Sequence, residues 1–206
     1  MRVPAERYLS VSKYCAAYFE AYQTAFTSVD RGALEEAGSL LMTAYKNGNQ
    51  VFVCGNGGSA ALADHLACDH LKGCQTDTKL RPRVHSLGAN VSLLTAIAND
   101  LGYAEVFLYP LRTAARTGDV FIGISCSGDS ENIVQAMQWA RDNELGTIAM
   151  TGFDGGRLRA LAQISLHVSY DNQGVVEDVH QSLMHILSQF NRQSQMDASL
   201  IGVRKF

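Results

Sequence analysis

Apolar side chains recur at three- and four-residue intervals across residues 5–29, at Tyr8, Val11, Tyr14, Cys15, Tyr18 and Tyr22, which predicts a helix with one buried stripe. A second helical run covers residues 32–47, and Asp30 stands between the two where an N-cap belongs. The first run also carries Phe19 and Phe26, more aromatic surface than one face against a small sheet requires, so a partner surface is expected there. From residue 50 the pattern changes. Short β-prone runs at 50–54, 83–87, 120–125, 147–151 and 164–168 alternate with helical runs at 59–72, 91–99, 104–115, 130–143, 157–162 and 175–191. This alternation predicts an α/β three-layer sandwich, a five-stranded parallel sheet flanked by helices, with two leading helices in front of it. No repeat or low-complexity linker interrupts the chain, so one domain is expected over residues 1–206: leading helices at 1–48, an α/β core at 49–193 and a tail at 194–206.

Two stretches, Gly55-Asn56-Gly57-Gly58-Ser59 and Ser125-Cys126-Ser127-Gly128-Asp129-Ser130, each follow an apolar run and open a helical one. Small residues let backbone approach an anion, hydroxyls add donors, and the following helix aims its unpaired N–H groups at the charge. In an open parallel sheet both loops fall beyond the carboxyl ends of the strands, where one ligand can reach both. Neither loop has a Lys-Ser or Lys-Thr after its glycines, and Gly-x-Gly-x-x-Gly is not completed. A phosphorylated small molecule therefore fits better than a nucleotide.

Composition narrows the class. The chain has 206 residues, 47% hydrophobic and 18% charged, with a formal charge of -3, as expected of a soluble globular domain. No Lys/Arg block is present, which argues against a nucleic-acid footprint or a polybasic membrane anchor. The first thirty residues carry charges throughout and read neither as a signal peptide nor as a membrane span, so a cytoplasmic protein is expected. The five cysteines lack C-x-x-C spacing and read as free thiols. Cys126 differs, because a helix N-terminus beside it would lower its pKa and open a nucleophilic role.

Two helical segments carry further chemistry. In Asp64-His65-Leu66-Ala67-Cys68-Asp69-His70, His65 and Asp69 stand four apart on one face, a spacing that holds a divalent metal and also suits a plain hydrogen-bonded pair. In the last helix Glu177, Gln181 and His185 form a stripe at fourfold spacing, flanked by Val175, Val176, Val179, Leu183, Met184, Ile186 and Leu187. A carboxylate and an imidazole on so apolar a helix need partners. His65, Asp69, Glu177 and His185 together make a two-nitrogen, two-oxygen set suited to zinc or a similar first-row ion. His180 is expected to be a hydrogen-bonding residue behind them.

At these residues the chain resembles the sugar isomerase (SIS) domain, and within it the phosphoheptose isomerase family, from about residue 5 to residue 191. The resemblance rests on Cys-Gly-Asn-Gly-Gly-Ser at 54–59, Ala-Asn-Asp at 98–100, Gly-Ile-Ser-x-Ser-Gly at 123–128, Thr-Gly-x-Asp-Gly-Gly at 151–156 and Glu-Asp-x-His-x-x-x-x-His at 177–185. It implies the SIS fold, a homotetramer with active sites between subunits, and interconversion of sedoheptulose 7-phosphate and D-glycero-D-manno-heptose 7-phosphate in bacterial heptose and surface-polysaccharide (lipopolysaccharide) biosynthesis. It implies a substrate site of Asn56, Gly57, Gly58, Ser59, Asn99, Asp100, Ser125, Cys126, Ser127 and Ser130 with Asp69 and Glu177. One zinc per subunit would sit on His65, Asp69, Glu177 and His185, with proton transfer by Asp69 and His185.

The chain departs from that family at Asp69, where Glu is usual, at Glu177, where Gln occurs, at Cys126, where Thr is frequent, and at Gly73, where an Arg is frequent. Adjacent His70 and Lys72 are candidates to replace that Arg. The alternative readings are a non-catalytic SIS-domain binding protein of the replication-initiator-associating type and an isomerase of a different sugar phosphate. Retention of Asp69, Glu177 and His185 favours an enzyme.

Overall fold

The computed structural model describes residues 3–206. Five strands, β1 Gln50–Gly55, β2 Arg83–Ser86, β3 Val120–Ser125, β4 Gly146–Thr151 and β5 Ile164–His167, form one parallel sheet in the order β2-β1-β3-β4-β5. The helices are α1 Val11–Thr27, α2 Arg31–Asn47, α3 Gly58–Cys68, α4 Val91–Asp100, α5 Leu108–Ala114, α6 Glu131–Asp142, α7 Gly156–Leu161 and α8 Gln173–Gln193. Strand side chains alternate between two cores. Val51, Val53, Ile122, Ile124 and Met150 pack with α1, α2, α3 and α8 on one face, while Phe52, Phe121 and Ala149 pack with α4 to α7 on the other. Burial on both faces is why the strands read as continuous apolar runs, and the three-layer expectation holds.

Differences from the sequence reading fall at helix ends. The first helix begins at Val11 rather than residue 5, because Ser10 is extended and its Oγ accepts from the Lys13 amide at 3.3 Å. The run at 104–115 splits into a 3-10 turn at Tyr103–Glu105 and α5, whose start at Leu108 keeps Pro110 in the first turn, where no amide donor is needed. The third helix stops at Cys68 and continues as a π turn over Asp69–Gly73, closed by the Cys74 amide on Asp69 O at 3.2 Å. At the other termini, Asp30 caps α2 through Gly32 N at 2.7 Å, and Asn172 caps α8 through Val175 N at 3.1 Å.

Candidate functional site

β1 and β3 are neighbours in the sheet, with Gly55 opposite Ile124, so the two small-residue loops leave it side by side. This pair is also where the strand order reverses, the place where open α/β sheets bind ligands. The loops enclose a cleft of about 160 Å³ lined by Asn56, Ser59, Ser125, Cys126, Ser127 and Ser130, with Phe153, Gln173 and Glu177 across from them. Three hydroxyls converge: Ser125 Oγ is 3.4 Å from Ser127 Oγ and 3.3 Å from Ser130 Oγ. Ser130 is the N-cap of α6 yet makes no side-chain bond to its own helix, leaving both its hydroxyl and the helix amides directed to this space. Gly128 adopts φ +70, and a Cβ there would lie 2.0 Å from Gly155 O, so only glycine lets the loop pass the segment after β4.

Side chains behind the loops keep them in place. Asn56 and Asn132 exchange amide hydrogen bonds at 2.9 and 3.0 Å, and the Tyr103 hydroxyl donates to Asn56 Oδ1 at 2.9 Å. Arg157 donates to Asp129 Oδ1 from its amide and from Nε, and pairs with Glu131 at 2.9 Å. Those bonds hold the Asp129 carboxyl below its ordinary range; Glu131 is held low by Gln135 first and then by Arg157. Neither Asn132 nor Tyr103 was legible as a site residue, because nothing local distinguishes a buried Asn in a first turn from any other. Asn99 and Asp100 are not in the cleft. They are exposed at the end of α4, where Asn99 Nδ2 donates to Asp100 Oδ1 at 2.8 Å.

Gly57 and Gly58 open α3, and Glu177 of α8 lies directly over them: a Cβ on Gly58 would stand 2.6 Å from Glu177 Oε1. Gln173 Nε2 donates to the same oxygen at 3.2 Å. Cys126 does not have the lowered pKa expected of it. Burial, reinforced by the Glu177 carboxylate, pushes its thiol up to about 11, which outweighs the helix N-terminus and leaves it a neutral wall of the cleft.

α3 and α8 run side by side, and further along them the second group of residues meets. His65 Nε2 lies 3.4 Å from Asp69 Oδ1, and His185 Nε2 lies 3.4 Å from Asp69 Oδ2. One donor atom from each of the three falls within 4.8 Å of the others, and the two rings meet edge to face at 5.1 Å. Gln181 joins them, its amide 3.0 Å from His65 Nδ1 and 3.0 Å from His185 Nε2. The expected set of four is thereby divided. Glu177 stands outside this group, two helical turns and about 12 Å before His185, on the cradle side of the cleft.

Two other histidines serve the core. His180 is fully buried, its Nε2–H donates to Thr151 O at 3.1 Å, and burial lowers its pKa to about 4. His70 is also buried and neutral, lowered to about 4, with the Tyr45 hydroxyl on its Nδ1. It is therefore no replacement for an arginine at the substrate; Lys72 is exposed.

A doubly wound parallel sheet with a hydroxyl cradle at its switch point, followed along one helix by a carboxylate–imidazole cluster, defines the SIS-domain class, and the SIS domain family model matches residues 13–152. The phosphoheptose isomerase of Helicobacter hepaticus is 37% identical over 171 residues, covering 83% of this chain and 86% of that protein. That of Aliarcobacter butzleri is 39% identical over 156 residues, covering 76% and 82%. The solved phosphoheptose isomerase of Neisseria gonorrhoeae superposes with a TM-score of 0.80 at 31% identity, covering 89% of this chain and 97% of its own. The chain belongs to the phosphoheptose isomerase family of SIS-domain enzymes.

Proposed function

We propose that this isomerase interconverts sedoheptulose 7-phosphate and D-glycero-D-manno-heptose 7-phosphate through an enediolate, in heptose and lipopolysaccharide biosynthesis. The observation that carries the reading is the spacing of two chemistries along α3. The cradle sits at its first turn and His65 six residues beyond Ser59, about 9 Å along the axis, which suits an extended sugar phosphate. Ser125, Ser127, Ser130, Ser59 and the opening amides of α3 and α6 bind the phosphate, and Asn56, fixed by Asn132 and Tyr103, orients it. A phosphate held there fixes the carbonyl end of the sugar against the cluster.

Asp69 removes the proton beside the carbonyl and His185 returns one at the neighbouring carbon. His65 and Gln181 hold these two groups in place. The donor set of two imidazoles and a carboxylate, gathered where α3 and its π turn meet α8, fits zinc. His65, Asp69 and His185 would hold it, one per subunit. When bound, the ion would supply Lewis-acid polarisation of the sugar oxygens. The substrate-site assignments for Gly57, Gly58, Cys126 and Glu177 place them as walls of the phosphate end; Asn99 and Asp100 reach the sugar only if α4 shifts or a neighbouring subunit adds the contact.

A homotetramer is part of this reading. α1 and α8 pack together and leave Val11, Phe19 and Phe190 exposed, apolar surface that a second copy would cover. A cytoplasmic location accords with the substrate, and no described helix is long and apolar enough to cross a membrane. Nucleic acid has no place in the reading at a formal charge of -3.

The deciding experiment is turnover of sedoheptulose 7-phosphate by zinc-supplemented protein, followed by NMR. Conversion that disappears in His185→Ala is expected. No conversion by folded, metal-loaded protein would overturn the substrate assignment. A chelator should remove activity reversibly, and full activity in a demonstrably metal-free preparation would exclude the zinc role.

A further inference from the structure

Gln181 reaches both imidazoles of the cluster from the side away from Asp69's pairing with His65, its Nε2 lying 3.0 Å from His65 Nδ1 and 3.0 Å from His185 Nε2. An amide has a donating end and an accepting end, and a half-turn about its last side-chain bond exchanges them. In the arrangement here Nε2 donates to a lone pair on each ring, which suits neutral imidazoles without a metal. The remaining nitrogen of His65, Nε2, faces Asp69 Oδ1 at 3.4 Å, inside the metal-type group. Once that Nε2 gives its lone pair to a cation, the ring proton must sit on Nδ1, and an Nδ1–H needs an acceptor. Gln181 is already within reach to supply one.

We propose that Gln181 is a two-way amide latch, a positioning residue that donates to both histidines in the metal-free protein and, after turning, accepts from His65 Nδ1–H when the metal is bound, leaving the His185 Nε2 lone pair free for the ion. This rests on the reading of His65, Asp69 and His185 as a metal site. The latch ties metal loading to ring orientation across the α3–α8 contact. Glu177, the stripe residue one turn earlier, cannot serve in this way, because its carboxylate lies over Gly58.

Glutamate and leucine separate the two ends of the amide. Glutamate keeps an acceptor and loses the donor; leucine loses both. Zinc affinity would be measured by competition with a chromophoric chelator on the wild type, Gln181→Leu and Gln181→Glu, with the visible spectrum of the cobalt-substituted forms and thermal unfolding alongside. Gln181→Leu is expected to bind zinc about 10- to 100-fold more weakly with a changed cobalt spectrum, and Gln181→Glu to bind at least as tightly as the wild type. Wild-type affinity in Gln181→Leu would overturn the latch, as would Gln181→Glu being as weak as Gln181→Leu. Should Gln181→Leu fail to fold, Gln181→Ala makes the same comparison. A wild type that binds no zinc sinks the metal reading itself, an outcome visible before any variant is compared.

Discussion

The hydroxyl-lined cradle and the histidine cluster adjoin along α3 but are built from different materials. The cradle is backbone and hydroxyls on two short loops, each contiguous in sequence and each fixed by the strand it leaves. The cluster is side chains from two helices, His65 and Asp69 on one stretch and Gln181 and His185 more than a hundred residues later. The geometry of the first is dictated by loop and sheet; that of the second depends on how α8 lies against α3. Amides and hydroxyls on short loops suit the holding of an anion, and side chains fixed on two packed helices suit the closer positioning that proton transfer needs.

The comparison breaks most visibly at His185. His185→Ala should lower kcat by about 10²- to 10⁴-fold, the usual worth of a proton-transfer group, while sugar-phosphate binding measured by calorimetry stays within a few-fold. Comparable loss of binding would mean the two regions are not separate.

Acid tests how α8 is anchored. His180 Nε2–H is committed to Thr151 O, and its Nδ1 is buried without a partner, so a second proton has nowhere to bond. Its folded pKa of about 4 lies below its ordinary value of 6.5. Between these values the unfolded chain binds the proton and the folded one does not, so stability falls as pH drops from 6.5 toward 4 and levels off below. His180 contributes about 3 kcal/mol of this fall, and buried His70, lowered to the same value, a similar share, so His180→Gln should remove about half of the dependence read by denaturant unfolding across that range.

Ser127→Ala acts on the cradle alone. Loss of one hydroxyl bond to a charged phosphate costs about 1.5–3 kcal/mol, so KM should rise about 10- to 150-fold with a much smaller change in kcat. A fall in kcat with KM unchanged would move Ser127 to the chemical step. The smallest effect is expected at Glu177, whose charge faces the phosphate site. Glu177→Gln should tighten binding of inorganic phosphate by about 1 kcal/mol, near fivefold, and less at high salt. Weaker binding instead would give Glu177 a partner at the site that makes its charge favourable.

Much of this was legible in the chain. The five β-prone runs lie at the observed strands within a residue or two, because strands buried on both faces stay apolar from end to end. The cradle was legible because glycines and serines at a strand-to-helix turn leave few conformations open. Asn132 and Tyr103 were not, since their importance lies only in reaching Asn56 from 76 and 47 residues away. The π turn escaped as well: residues 69–73 fit an α-helix by period, and the wider turn follows from Cys74 and His70 packing under α2 and α8, through Ser188 O and Tyr45.

The sequence by itself determined which segments are helix and strand, that the sheet is parallel, and which two loops form the cleft. It also put Glu177, Gln181 and His185 on one stripe of α8, since a helical period sorts residues by face. Which level of that stripe meets His65 and Asp69 was decided only by the tertiary structure. α8 is held on β4 through His180 and against α3 along its length, and that fit sets Glu177 over the cradle and Gln181 with His185 at the cluster. A period carries direction around a helix and no information about its height against a neighbour, which packing alone fixes.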